Sequence, residues 1–299
     1  MPTVDLLLIG AGPVGCLLAS ALASRGHACD WYIRNPQLRM QLQGLRLRFP
    51  DSETQPDLTS LSVPEQLDSQ KYNTVITSVK SQQTEPLLCS LNLSADTRIL
   101  AVANGLISGS FHLGLLYGGA YLEDEVLHTR HSNLLQIGTL GAAAEHSDWF
   151  AELLRCDWLD CDSVPDMEIR QWHKLCLNCV LNPLTALLDV PNGSMLDSLD
   201  SPLVSGLIGE LQLVASSHLG TRWHYTAADI REGVRRLIEA TIANSSSMRE
   251  DLRRGREPEI ANMNAAIVRL GRQYGIPCPL HAAVTEMIIS VSKVSADEH

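Results

Sequence analysis

Apolar residues run from Val4 to Ile9, interrupted only by Asp5, and give way to Gly10-Ala11-Gly12-Pro13-Val14-Gly15. Beyond the glycines, Val14, Leu17, Leu18, Ala21 and Leu22 recur at three and four residues. A continuous apolar run is the mark of a strand buried on both faces, and the second spacing that of a helix with one apolar stripe. The start of the chain therefore predicts strand, tight turn, helix. Short apolar runs predict further strands at 28–33, 45–49, 74–79 and 98–103. After Ala103 come strand-like stretches at 115–121, 125–130 and 134–139 with no helical pattern between them, which predicts an antiparallel extension of the sheet. From about Met167 the spacing is helical throughout, with stripes in 203–218, 227–243, 258–274 and 280–292. Pro202, Pro258 and Pro279 stand near the starts of three of these, where a missing N–H costs least.

The glycines turn this pattern toward chemistry. In strand–turn–helix context the first, Gly10, permits the turn, Gly12 lets backbone approach a pyrophosphate, and Gly15 lets the helix pack closely on its strand. Pro13 and Val14 complete the loop, and the phosphates would face the unpaired N–H groups of the helix. The alternative is a glycine-rich turn with no ligand. At the end of the second strand, where the adenosine ribose would sit, stands Arg34; an acid there selects NAD, whereas an arginine can pair with the 2′-phosphate of NADP. Asp30 lies too early in the strand for the acidic role. Arg34 is otherwise a solvated surface arginine, and Arg39 either reinforces the pocket or faces solvent. The expected fold class is α/β: an N-terminal Rossmann-like dinucleotide-binding domain over residues 1–165, then an all-helical C-terminal domain over 166–299, with a cleft between them.

Composition narrows the partners. The 299 residues are 45% hydrophobic and 19% charged, with a net charge of −11, which describes a globular chain without the basic surface that nucleic acid or an anionic membrane requires. The apolar N-terminus lacks a basic leader and is broken by Asp5, and no later run is long enough to span a bilayer, so a cytoplasmic protein is expected. Eight cysteines over this length do not make a disulfide framework. Cys176 and Cys179 have redox-motif spacing but lie inside a predicted helix without further ligands, so no metal site is expected.

Within the first helical segment, Lys174, Asn178 and Asn182 recur every four residues on one face of an otherwise apolar helix. Burying an ammonium and two carboxamides is expensive without partners, so the stripe either faces another polar group, a ligand or a wet cleft, or lies against solvent on an amphipathic helix. Pro183 removes one helical bond and frees a carbonyl near residue 179, predicting a kink. Further on, Glu259 follows Pro258 and is expected in the first turn of a helix, where the macrodipole favours a carboxylate whatever its function. Ser247 is a candidate for the same site, or simply a capping or loop serine.

Taken together, the glycine turn, Arg34, Lys80 with Gln83, Asn104-Gly105, the run Lys174-x3-Asn178-x3-Asn182-Pro183-Leu184-Thr185, Ser246-Ser247-Met248 and Glu259-Ile260 resemble the ketopantoate reductase family, from about Val4 to Val294. The lysine–asparagine–asparagine-proline run and the twelve-residue spacing from Ser247 to Glu259 are the specific parts. The resemblance implies NADPH-dependent reduction of 2-dehydropantoate to (R)-pantoate on the route to pantothenate and coenzyme A. It implies that Lys174 is the proton donor, that Glu259 engages the substrate and helps position the lysine, and that Asn178, Asn182 and Ser247 bind the substrate's carboxylate and hydroxyl. Asn104 and Lys80 would sit at the nicotinamide end of the cofactor. Two departures leave the exact 2-oxo acid open: Asn264-Ala265 where relatives commonly carry Asn-Gly, and Leu106-Ile107-Ser108-Gly109-Ser110 without the acid many relatives have. Partners beyond the small-molecule substrate are not expected, except in a homodimer if the protein is not a monomer. Another two-domain dehydrogenase would need a different catalytic set, often with a histidine, and His173 points about 100° away from Lys174 around the helix. A non-catalytic NADP sensor would have no need of Lys174 and Glu259.

Overall fold

A computed structural model describes residues 5–141 and 146–297; Val4, expected at the head of the first strand, lies outside them. The chain divides into two compact units, Met1–Met167 and Glu168–His299. The first unit contains β1 (Leu6–Ile9), α1 (Pro13–Ser24), β2 (Cys29–Tyr32), α2 (Pro36–Gln41), β3 (Arg46–Arg48), β4 (Glu53–Thr54), β5 (Leu61–Ser62) and β6 (Thr74–Thr77). It continues through α3 (Ser81–Ser90), β7 (Arg98–Val102), β8 (Phe111–Tyr117), β9 (Ala120–Glu123), β10 (Val126–Thr129), β11 (Asn133–Leu140), α4 (Ser147–Leu154) and β12 (Leu159–Ser163).

Eight strands form one sheet in the order β12-β11-β8-β7-β6-β1-β2-β5. From β8 to β5 every neighbouring pair is parallel. All residues of β1 and β6 are buried, the state that removes polar alternation from a central parallel strand. Strand order reverses at β1, with β2 on one side and β6 on the other, and open α/β sheets bind ligands beyond the carboxyl ends of the strands at such a switch point.

The antiparallel extension expected after Ala103 is present only in part. β11 pairs antiparallel with β8, but β9 and β10 leave the main sheet and join β3 and β4 in a second sheet, ordered β4-β3-β10-β9. The stretch expected as one strand over 115–121 breaks at Gly118 (φ +149°), where an added Cβ would stand 2.2 Å from the Asn133 Oδ1. Leu47 and Leu127, paired in register, belong with Leu17 and Leu18 of α1 to one buried cluster, so this second sheet covers α1. β12 pairs parallel with β11 at the sheet edge. It has no strong sequence signal because only Leu159 and Cys161 of its five residues are buried.

The second unit is formed by α5 (Met167–Leu188), whose first residue still belongs to the first unit, followed by α6 (Pro202–Leu219), α7 (Ala227–Ala240), α8 (Ser247–Arg253), α9 (Asn264–Tyr274) and α10 (Pro279–Asp297). Local signals set their ends. Ser201 caps α6 through Val204 N, Thr226 and Asp229 form a capping box on α7, and Gly275 in the left-handed region (φ +69°) ends α9. The stripe expected as one helix over 258–274 is instead two elements. Pro258 precedes a 3₁₀ turn, Glu259–Asn262, and Met263 at φ −117°, ψ −108° separates that turn from α9. Pro258 is thus not the first residue of the long helix, and Glu259 opens the short turn. Among the described residues no helix is long and apolar enough to cross a membrane.

Candidate functional site

Gly10 and Gly12 lie between the carboxyl end of β1 and α1, and Pro13, Val14 and Gly15 open that helix. Gly10 adopts φ +116°, and a Cβ on it would lie 2.5 Å from Ser78 Oγ. A Cβ on Gly15 would lie 2.3 Å from the Gly10 carbonyl oxygen, so the helix cannot approach its strand with any side chain there. At Gly12 an added Cβ meets nothing within 4 Å, and no side chain caps the start of α1. Open space thus faces an uncapped helix N-terminus with Pro13 at its first position, an arrangement suited to phosphate oxygens. Trp31 supports the loop from β2, donating its indole N–H to the Gly10 carbonyl at 2.8 Å.

Arg34 is exposed just past β2, and Asn35 immediately behind it caps α2, accepting from Gln37 N at 2.9 Å and Leu38 N at 3.3 Å. The capped turn fixes the backbone that carries the arginine. Arg39 donates from Nη2 to the Ile33 carbonyl at 3.0 Å and lines a cavity of about 720 Å³ with Trp31, Gln43, Gln55 and Asp57. Asp30 points elsewhere: it is buried, bonded to Ser62, to the Tyr72 hydroxyl at 2.5 Å and to Lys71 Nζ at 2.9 Å. Burial alone would raise its pKa, but these donors outweigh that and hold it below the usual carboxylate range. Lys80 is the N-cap residue of α3 just beyond β6, and Asn104 follows β7, each partly exposed. The glycine loop, Arg34, Lys80 and Asn104 therefore all lie beyond the carboxyl ends of the four adjacent strands β2, β1, β6 and β7.

In the second unit, Lys174, Asn178 and Asn182 lie along α5, the first two partly exposed and Asn182 buried. Burial pushes the Lys174 ammonium down to about 8, and the Glu259 carboxylate opposes that shift. The structure thus brings Glu259 within electrostatic reach of Lys174. His173 belongs to a different cluster, stacked on Tyr225 at 4.2 Å between ring centroids, its pKa lowered by burial and then by His224. Cys176 and Cys179 are both buried, and burial raises the Cys176 thiol to about 12. Among the described residues no group of three or more His, Cys, Asp or Glu could hold a metal ion.

Ser247 is the exposed first residue of α8; the capping role open to it falls instead to Ser246, whose Oγ accepts the Arg249 amide at 3.2 Å. Ser246 Oγ also lies 2.8 Å from Thr185 Oγ1, which bonds the Leu181 carbonyl at 2.9 Å. Past the end of α5, Asp189 receives Arg249 Nε at 2.8 Å and Arg253 Nε at 2.7 Å, and these arginines hold its pKa near 2. Two contacts therefore pin α8 to α5 and fix Ser247 beside the end of the asparagine stripe. Sequence reasoning missed the Asp189 clamp and the Thr185–Ser246 contact, because pairs separated by some sixty residues leave no periodic signal.

The expected kink site in α5 has a specific remedy. Pro183 supplies no N–H to the Cys179 carbonyl, and Asn264 Nδ2 donates to that oxygen at 3.0 Å instead. α5 remains one continuous helix.

Residues 6–110 match the ketopantoate reductase PanE/ApbA family and residues 166–292 its C-terminal domain. The chain belongs to the ketopantoate reductase family. It is an oxidoreductase. Over 299 aligned residues it is 29% identical to the 2-dehydropantoate 2-reductase of Vibrio cholerae, covering 95% of this chain and 97% of that one. The PanE/ApbA family ketopantoate reductase of Ralstonia eutropha JMP134 shares the fold with a TM-score of 0.79 at 24% identity, covering 98% of this chain and 99% of that one. A D-mandelate dehydrogenase solved with NADH and anilino(oxo)acetate superposes with a TM-score of 0.82 at 21% identity, covering 97% and 99%. The ketopantoate reductase fold thus also carries a dehydrogenase named for another hydroxy acid, and the substrate of this chain must be argued from its own side chains.

Proposed function

We propose that this ketopantoate reductase uses NADPH to reduce 2-dehydropantoate to (R)-pantoate in the cytoplasm, as a step toward pantothenate and coenzyme A, with a dinucleotide-binding domain over 1–165 and a substrate domain over 166–299. The observation that carries the reading is Lys174 on a helical face shared with Asn178 and Asn182, its ammonium lowered by burial and opposed by Glu259. The cofactor, when bound, supplies a hydride to the 2-oxo carbon. Negative charge then develops on the carbonyl oxygen, and a cation able to release a proton answers both needs. Lys174 is that group. Glu259 keeps it charged near neutral pH and contacts the substrate. Asn178, Asn182 and Ser247 bind the carboxylate and hydroxyl with neutral donors, which recognise an anion without tying up the ammonium.

On the cofactor side, the fit rests on the space at Gly12 and the uncapped start of α1. Arg34 pairs with the 2′-phosphate, while Lys80 and Asn104 hold the nicotinamide end. Asp30, engaged by Ser62, Tyr72 and Lys71, is not placed to accept from an NAD ribose. The test is oxidation of NADPH and of NADH by the purified enzyme with 2-dehydropantoate, 2-oxoisovalerate, branched analogues lacking the terminal hydroxyl, and 2-oxo-2-phenylacetate. Turnover should be fastest with NADPH and 2-dehydropantoate. Preference for the phenyl acid would replace this substrate, and preference for NADH would remove the role given to Arg34.

A further inference from the structure

The Asn264 side chain, wholly buried, joins the segment carrying Glu259 to the helix carrying Lys174. It opens α9 directly after the turn Glu259–Asn262 and Met263. Its Nδ2 donates to the Cys179 carbonyl at 3.0 Å, the helical acceptor that Pro183 leaves without a donor. The same nitrogen lies 2.9 Å from His281 Nδ1, whose other ring nitrogen lies 3.1 Å from the Leu207 carbonyl. Nε2 must donate to that carbonyl, so Nδ1 is the acceptor for the amide and the imidazole is neutral. Burial, the dominant influence, lowers the His281 pKa to about 4 and keeps it so near neutral pH. Glu210 completes the anchorage by accepting the Leu280 and His281 amides at 3.0 and 3.1 Å, tying α6 to the start of α10.

We propose that Asn264 is a positioning residue, whose amide holds the Glu259 turn against α5 and so sets the distance between Glu259 and Lys174. The inference rests on the catalytic pairing proposed above. Without the amide, the Cys179 carbonyl and His281 Nδ1 both lose their donor, and the turn is free to shift along α5. Glu259 is the ionisable group that raises the Lys174 pKa; the charges of His224, Asp229 and Arg170 bear on the neighbouring His173 instead. Moving Glu259 away therefore lowers the Lys174 pKa further.

The experiment is competitive labelling of lysines with acetic anhydride across pH, with the Lys174 peptide quantified by mass spectrometry against Lys71, Lys80 and Lys293, the other lysines of the chain. It needs no substrate, so it reads the pairing even if 2-dehydropantoate proves not to be the substrate. Asn264→Ala should move the Lys174 labelling curve ~0.5–1 pH unit lower. Glu259→Gln should move it the same way, and adding Asn264→Ala to Glu259→Gln should produce little further shift. Asn264→Ser, which leaves a smaller void, replaces Asn264→Ala if that variant does not fold, with the same direction expected. Turnover should fall in kcat more than in NADPH affinity. A lower Tm with an unmoved Lys174 curve would reduce Asn264 to a stabilising core amide and overturn the proposal. A Glu259→Gln curve identical to wild type would instead remove the catalytic pairing on which it rests.

Discussion

Lys174 is subject to two opposing influences, and their balance determines when it can donate a proton. Desolvation favours the neutral amine and Glu259 favours the ammonium, leaving the pKa at about 8. A general acid acts from its protonated form, so kcat should fall as pH rises past about 8, and Glu259→Gln should move that limb to lower pH. Lys174→Ala should lower kcat about 10²–10⁴-fold while NADPH still binds. A near-wild-type kcat in a folded Lys174→Ala enzyme would rule out the proposed proton donor and return the lysine to a merely solvated position. At the other end of the chemistry, Arg34 makes a separate prediction. Loss of a charge-assisted contact costs about 1.5–3 kcal/mol, so Arg34→Ala should weaken NADPH roughly ten- to a hundredfold and NADH little, as read by titration of each nucleotide.

Between elements, the sheet edge depends on one buried carboxylate. Asp30 on β2 binds Ser62 on β5 and the Lys71-Tyr72 pair ahead of β6, so three segments meet on it. Its folded pKa is depressed, so its contribution to stability is present above the unfolded aspartate pKa and fades as pH falls through the lower folded value. Asp30→Asn should destabilise the protein by about 1.5–3 kcal/mol at pH 7 in chemical denaturation, with a smaller difference from wild type in strong acid. An equal difference at both pH values would mean that packing, not the charge, matters there. Elements of this kind also mark the limit of what the sequence reveals. The β1 turn, the helical stripes and the Lys174–Asn178–Asn182 face were legible because each is written in local spacing. The second sheet was not, since Leu47 and Leu127 pair across some eighty residues and neither strand exceeds four. Nor was the split at Met263, because the apolar spacing runs on across a backbone break that only its dihedrals disclose. Pro183 lay between the two cases: its freed carbonyl could be anticipated, whereas the donor that answers it, Asn264, could not.

At the scale of the whole chain, the two units offer different chemistry. The first presents a loop with open space at Gly12, ahead of an uncapped helix; the second carries an ammonium, two carboxamides, a hydroxyl and a carboxylate on α5, α8 and the Glu259 turn. For the proposed reaction neither set would suffice alone, since a hydride source without a proton donor, or the reverse, does not reduce a ketone. Hydrogen exchange separates these contributions. NADPH alone should slow exchange over residues 10–15 and at the start of α1, because phosphate oxygens accept from those amides. Adding 2-dehydropantoate, or a non-reducible analogue, should extend the slowing to α5 around Asn178 and Asn182 and to the start of α8. The Lys174→Ala enzyme should retain the first footprint and lose part of the second. If protection in the presence of both ligands stayed within residues 1–167, the substrate role given to α5 and α8 would fail, while the assignment of the glycine loop to the cofactor would stand.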